Sequence, residues 1–402
     1  MLKIEAAKDD RTEKEILEVE EFWGEKAPAY PGWEWVEVPA EVRKKVSSYH
    51  RMARLQLEAP PVDWNAPETS LGIRDAVDGH SHLAGYPSHP DKMEELERTL
   101  DRAGVKYIIN LSLEVYWDEY LREVEQGWLK SRLANRVVNL TTFDWTLDEQ
   151  GWVERACRHL DRSKKLNVRG VKVHKALGVD VQTHGKRARL NDTRIKELFS
   201  HAGELGMPIW IHYGDPWMFL MPLEGNEHLR EISCFPDWHL YAKNFTDKAA
   251  WRLHEDFFEL VESTPRTNYN AVHFANYPWD RIDEFFRILE KTPNLYSDIS
   301  GRMAETGRGK WLGQARDNRA AKTRELINRM PHKVIWGTDM LPTDKLYKVW
   351  SLYLRSTKKD IDYTFASFYP GQGDWLVDGL GLEKPVLEKF CRDVAKGLLG
   401  LD

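Results

Sequence analysis

The chain has 402 residues with 58 basic and 64 acidic side chains, a formal charge of −6. That balance offers no clustered positive field for a nucleic-acid backbone. With a mean hydropathy of −0.60, no apolar run approaches the length of a membrane span. Seventeen tryptophans leave much aromatic surface to place, in a core or in a pocket wall.

The first 75 residues differ from the rest. Charges recur from Lys3 to Glu21, so no apolar signal-peptide core is present and a cytoplasmic protein is expected. Glu13–Trp23 has helical spacing, and Pro28, Pro31, Pro39, Pro60, Pro61 and Pro67 then break regular structure. We read residues 1–75 as an extension wrapping the main domain, fastened by Trp23, Trp33, Trp35 and Trp64.

From residue 76 short β-rich runs alternate with amphipathic stretches. The expected strands are Ala76–His82, Tyr107–Ser112, Val137–Thr142, Val168–His174, Ile209–Tyr213, Tyr269–Phe274, Leu295–Ile299 and Lys333–Thr338. Between them lie expected helices at Lys92–Ala103, Glu114–Leu129, Trp152–Leu160, Thr193–Gly206, Trp251–Val261, Trp279–Lys291 and Ala320–Met330, with a last one at Val386–Leu399. Eight strands alternating with helices, and no glycine-rich phosphate turn after the first, predict an α/β (β/α)8 TIM barrel over residues 76–402. Gly214–Thr267 and Met340–Trp375 are expected to be long rim loops, candidates for lids or for a dimer contact. Cys157, Cys234 and Cys391 are widely spaced and form no C-x-x-C pair, so reduced thiols are expected and a metal would use histidine and carboxylate.

The strand ends carry the chemistry. Val77–Leu83 reads V-D-G-H-S-H-L, and strand alternation places Asp78, His80 and His82 on one face. His174 ends strand four, with Lys172 before it and Lys175 after it. His212 ends strand five, His273 strand six, and Asp339 follows strand eight. A closed barrel brings such positions to one mouth. Neutral imidazoles and a carboxylate suit Zn²⁺, and also Mn²⁺ or Fe²⁺. A divalent ion there would activate water. Asp339 is placed to accept its proton, and His273, if not a ligand, to hydrogen-bond a carbonyl oxygen gaining charge.

At these residues the pattern resembles the amidohydrolase superfamily. Within it, the chain is similar to the amidohydrolase-related branch of hydrolases, lactonases, hydratases and non-oxidative decarboxylases. V-R-G-V-K-V-H-K-A-L-G, N-L-Y-S-D-I-S-G-R and V-I-W-G-T-D-M-L-P also look like that branch. The resemblance covers residues 76–400 and implies a metal at the C-terminal mouth of the barrel. It implies His80, His82, His212 and Asp339 as ligands. His273 would be a ligand in binuclear members and a catalytic group in mononuclear ones. Lys172 stands where some binuclear members carry a bridging carboxylated lysine, but a lysine there also occurs in members with one metal. One ion is expected here, with Lys172 and His174 as further metal or substrate contacts.

Trp145, Trp210, Trp217, Trp279 and Trp336 stand near the expected mouth. Trp210 shares strand parity with His212, and Trp217 lies in the long loop after it; both are expected against substrate. Trp336 has the opposite parity to Asp339 and is expected in the core. Lys175 and Arg302 suit a substrate carboxylate. The expected function is hydrolysis of an amide, ester or lactone of a small cyclic or aromatic molecule. The alternative is non-oxidative decarboxylation of an aromatic or enol acid. A third option, a non-catalytic ligand-binding barrel, would lack a ligand. The expected assembly is a dimer.

Overall fold

The computed structural model describes residues 71–402 apart from 84, 112–116, 223–225, 227, 229–230, 233–237, 310–318 and 363–374. The extension at residues 1–75 and its tryptophans thus lie almost wholly outside the described residues.

Eight parallel strands follow one another around a single sheet in chain order. They are β1 Ala76–Ser81, β2 Val105–Leu111, β3 Val137–Thr141, β4 Gly170–Val173, β5 Ile209–Ile211, β6 Tyr269–Ala271, β7 Leu295–Asp298 and β8 Val334–Ile335. Each lies within or over an expected strand. The edges meet at the mouth: Gly79 N–H donates to Trp336 O (2.9 Å), and Asp339 N–H (2.8 Å) and Thr338 N–H (3.2 Å) donate to His80 O. These bonds close the barrel where its chemistry sits. A backbone approach this close needs Gly337, because a Cβ there would lie 2.5 Å from His80 Cβ.

Helices alternate with the strands: α1 Pro90–Ala103, α2 Trp117–Gln126, α3 Trp152–Lys165, α4 Thr193–Glu204, α5 Asp247–Ser263, α6 Ile282–Lys291, α7 Arg319–Arg329 and α8 Asp344–Arg355. Local sequence sets their ends. Pro90 opens α1 and Gly104 closes it at φ 72°, while Asp192, Thr246 and Thr343 cap α4, α5 and α8 through side-chain oxygens. The stretch Met340–Trp375, expected as a loop, contains α8 instead. Eight of the twelve α8 residues are buried, among them Leu346, Tyr347, Trp350 and Tyr353.

Burial splits the apolar residues in two. Val171, Val173, Ile209, Ile211 and Trp336 belong to the large cluster that also takes in the helices. Val77, Ile109, Val138, Trp210 and Ile335 form a second cluster inside the barrel. The C-terminal segment adds Val394, Ala395 and Leu399 to that inner cluster. Its helices, α9 Lys384–Glu388 and α10 Val394–Leu399, flank a π turn at Lys389–Asp393. The free cysteines among the described residues are Cys157 and Cys391.

A candidate metal centre at the barrel mouth

The mouth is built by a departure from strand regularity. The β1–β2 register shifts between Asp78 and Ser81, so Asp78 does not share a face with His80 and His82. Its buried carboxylate instead accepts from Thr338 N–H (3.0 Å), Thr338 Oγ–H (2.8 Å) and Tyr347 O–H (2.9 Å). Burial pushes its pKa up to about 6 despite those donors. Asp78 therefore braces the segment after β8, and this leaves Asp339 beside the two histidines.

Asp339 Oδ1 lies 2.8 Å from His80 Nε2 and 3.4 Å from His82 Nε2, and Asp339 Oδ2 lies 3.8 Å from His273 Nε2. The opposite ring nitrogens identify the tautomers. His82 Nδ1 is 2.7 Å from Leu111 O and His273 Nδ1 is 2.5 Å from Ser300 O. A carbonyl only accepts, so both Nδ1 atoms carry the proton. His80 Nδ1 is 3.2 Å from Asp298 Oδ2, another pure acceptor. His82 and His273, whose protons sit on Nδ1, thus turn Nε2 lone pairs toward one carboxylate, and His80 brings its Nε2 to 2.8 Å from the same group. His80 Nε2 lies outside hydrogen-bond geometry despite its 2.8 Å approach, and the buried His212 Nε2 also has no hydrogen-bond partner.

Such an arrangement is unfavourable until a cation or added protons fill it. The donor set fits a divalent metal. His80, His82 and Asp339 present ligand atoms within 4.8 Å of one another, and two ligands of one such ion stand roughly 3 Å apart. His80, His273 and Asp298 form a second close group, but its Nδ1 atoms are already spent on Asp298 and Ser300. His212 belongs to neither group. Its ring packs edge-on against His273 at 4.7 Å, and its Nε2 is 3.5 Å from Asp215 Oδ1.

Electrostatics agree with this geometry. Burial lowers His82, and it lowers His212 well below the ordinary value. It takes His273 down to about 4, so that ring is neutral at pH 7. His80 moves the other way: burial depresses it, but the carboxylates of Asp339 and Asp298 outweigh burial and raise it. For Asp339 burial is likewise outweighed, by His80 and His273, and its pKa falls well below the usual range.

The left-handed backbone at the end of β6 aims His273. His273, Phe274, Ala275 and Asn276 have φ of 58°, 49°, 58° and 50°, which stops the strand at Ala271 rather than Phe274. Gly301 lets the neighbouring loop approach. A Cβ there would lie 2.9 Å from Asp339 Oδ2 and 3.2 Å from His273 Nδ1. In the sequence Asp298 and Ser300 stand out only as members of the N-L-Y-S-D-I-S-G-R motif. Their function is visible in the contacts to His80 and His273, which alternation of residue types does not predict.

The other expected residues are placed differently from one another. Lys172 is 1% exposed on the inner side of β4, in register with Trp210, and its Nζ has no hydrogen-bond partner. Burial lowers its pKa to about 8, against the pull of Asp339 and Asp298. The His174 ring stands 6.4 Å from that of His82. Lys175 pairs with Asp215 (3.0 Å) and lies 3.7 Å over the Trp238 ring. Trp210 is fully buried in the inner cluster and donates to Gly79 O (3.0 Å), so it forms a floor rather than an accessible wall. Trp217 stacks obliquely on Trp251 at 5.2 Å. Trp336 packs on Tyr347 and Trp350, in the core as expected. Arg302 is 2% exposed and is committed to Glu305 (3.2 Å), Tyr277 O (3.1 Å) and the Trp279 face (4.9 Å). It is thus a buried clamp and not an open anion site.

A closed eight-stranded parallel barrel with a His/His/Asp group at its C-terminal mouth defines the class. The family model described as "Amidohydrolase" matches residues 132–401, more than half of the chain, and the chain belongs to that family. The match begins after β1, so His80 and His82 join it through the geometry above. A search of curated protein sequences finds no match. Similar solved structures include an "Amidohydrorolase II" at 12% identity, TM-score 0.50, covering 81% of this chain and 99% of that one. A 2,6-dihydroxybenzoate decarboxylase from Rhizobium has 12% identity, TM-score 0.49 and coverage of 82% and 99%. An uncharacterised TIM-barrel protein from Bordetella bronchiseptica has 14% identity, TM-score 0.46 and coverage of 88% and 92%. At 12% identity the likeness to the first of these is one of fold alone.

Proposed function

We propose that the protein is a metal-dependent hydrolase of a small cyclic or aromatic substrate with an amide, ester or lactone bond. The observation that carries this reading is the gathering of three Nε2 atoms on the Asp339 carboxylate, with His80, His82 and Asp339 offering ligand atoms within 4.8 Å of one another. In this reading His80, His82 and Asp339 hold one ion, most naturally Zn²⁺ with Mn²⁺ or Fe²⁺ as alternatives, and the unpartnered His212 Nε2 completes the set. When bound, such an ion acts as a Lewis acid and makes water a nucleophile near neutral pH.

The chain's own residues then move the protons. His273 is neutral with its lone pair toward the site, so it accepts a proton; the donor role expected for it would need the opposite tautomer. The proton that His273 takes from the attacking water would pass to the ionised Asp339 Oδ2, 3.8 Å from His273 Nε2, and from there to the leaving group. Ser300 O and Asp298 keep His273 and His80 in these tautomers. Trp217 is assigned to the substrate side of the loop after β5.

Non-oxidative decarboxylation of an aromatic or enol acid is the second reading. What favours it is the pair of ammonium groups at β4, since a carboxylate substrate needs cations. A non-catalytic barrel ranks last, because every ligand type is present. No helix of the described residues is long and apolar enough to cross a membrane; a cytoplasmic dimer acting on a small molecule completes the proposal.

Elemental analysis tests the reading. One divalent ion per chain is expected, lost in His80→Ala and Asp339→Asn while the circular dichroism spectrum is retained. Purified protein that takes up no divalent metal, or either variant binding it as tightly as the parent, overturns the reading. Water uptake by an ester or lactone panel, against CO₂ release from hydroxybenzoates, separates hydrolase from decarboxylase.

A further inference from the structure

The end of β4 carries two ammonium groups that ligation leaves unused. Lys172 Nζ is buried inside the barrel without a hydrogen-bond partner. Three N–H donors are thereby unsatisfied in a water-poor interior, which is costly unless something accepts from them. Lys175 follows on the rim with its side chain 20% exposed. Asp215 takes one of its donors and the Trp238 ring covers one side. Each lysine acts on the charge of His212, and Lys175 acts on that of Lys172. Both ammoniums therefore stand close to the candidate metal ligands. The other cation expected to meet substrate, Arg302, is withdrawn into its clamp.

We propose that Lys172 and Lys175 form an anion subsite for the carboxylate of a planar organic acid. The inference deepens the metal-dependent reading and rests on it for the reacting end of the substrate. Asp215 opposes Lys175, and Asp298 and Asp339 pull on Lys172, so the two ammoniums leave little positive charge to match. A monoanionic carboxylate fits that balance better than a dianionic phosphate. The indole face of Trp238 beside Lys175 suits a flat substrate body. The substrate class is then an aromatic or enol acid, whichever bond is broken.

Calorimetric titration with benzoate, and with benzamide as its uncharged counterpart, tests the subsite on full-length protein supplied with divalent metal. Benzoate is expected to bind at least tenfold more tightly than benzamide. Lys172→Met and Lys175→Met should each weaken benzoate at least tenfold with metal content unchanged, whereas Lys175→Arg should keep most of the binding. Equal affinity for the two probes, no benzoate binding by the parent protein, or unaltered benzoate binding in both methionine variants overturns the proposal. So does a CO₂ adduct on Lys172 in the intact mass of native protein, since no ammonium would then exist. The parent comparison needs no variant, so misfolding of a substituted protein does not blunt the test. Metal is measured in the same samples. Lysine-dependent benzoate binding without metal uptake would sink the metal reading and leave the subsite standing.

Discussion

Asp298 governs the site from behind. Its buried carboxylate accepts from His80 Nδ1, Asn270 Nδ2, the backbone N–H groups of His273 and Ser300, and the Ser300 hydroxyl. Burial alone would raise its pKa, but His80 and these bonds bring it down to about 2. The depressed value means a stabilising contribution present above the ordinary 3.8 and lost as pH falls through about 2. It is worth about 2 kcal/mol. Asp298→Asn should weaken metal binding by about 10- to 100-fold, because an amide no longer enforces the His80 tautomer; unchanged affinity in a metal titration would contradict this. Proton competition supplies a second expectation. His80 is raised by Asp339 and Asp298, so protons claim its Nε2 above the ordinary imidazole value. Metal affinity measured against pH should fall on acidification from that point, and a flat profile would argue against His80 as ligand.

The left-handed run after β6 is the element most exposed to test. Left-handed backbone costs a non-glycine residue about 1–2 kcal/mol, and four such residues follow in succession. The strain persists because neighbours over-determine it. Asp298 holds His273 N–H (2.9 Å), Asn276 Nδ2 donates to Gly214 O (3.2 Å), and Arg302 reaches Tyr277 O (3.1 Å). Ala275→Gly should raise stability by about 1 kcal/mol in thermal melts. Gly301→Ala should do the reverse and cost metal binding as well, since its Cβ would meet Asp339 and His273. Metal affinity equal to the parent's would refute that cradle. The contrast with α8 is instructive. Its Asp344, Lys348, Ser351 and Arg355 fall at i, i+4, i+7 and i+11 and make a polar stripe opposite Leu346, Val349, Trp350 and Tyr353, so this helix was legible by the same spacing that marks the others.

For the whole molecule, closure and chemistry share the same bonds. The contacts of Gly79 and His80 with Trp336, Thr338 and Asp339 join the sheet edges and seat Asp339 among the histidines. An ion bridging β1 and the segment after β8 would cross-link that seam. Removing metal with a chelator should lower the melting temperature. For ion present at about 100 times its dissociation constant the loss is about 2.7 kcal/mol; a melt indifferent to chelator would exclude such a bridge.

The order of elements was legible in the sequence, because eight β-rich runs alternating with amphipathic helices have few other ways to bury their apolar faces. So was the convergence of His80, His82, His273 and Asp339, which stand at strand ends that a closed barrel brings to one mouth. Only the tertiary structure decided what each touches. The bulge that turns Asp78 away, the pairing that withdraws Arg302, the burial that strands Lys172 and the acceptors that choose each histidine's tautomer all depend on atoms distant in the chain. Periodicity specifies which face a residue occupies on its own strand, whereas its charge, proton and partner are set by what the closed barrel brings to meet it.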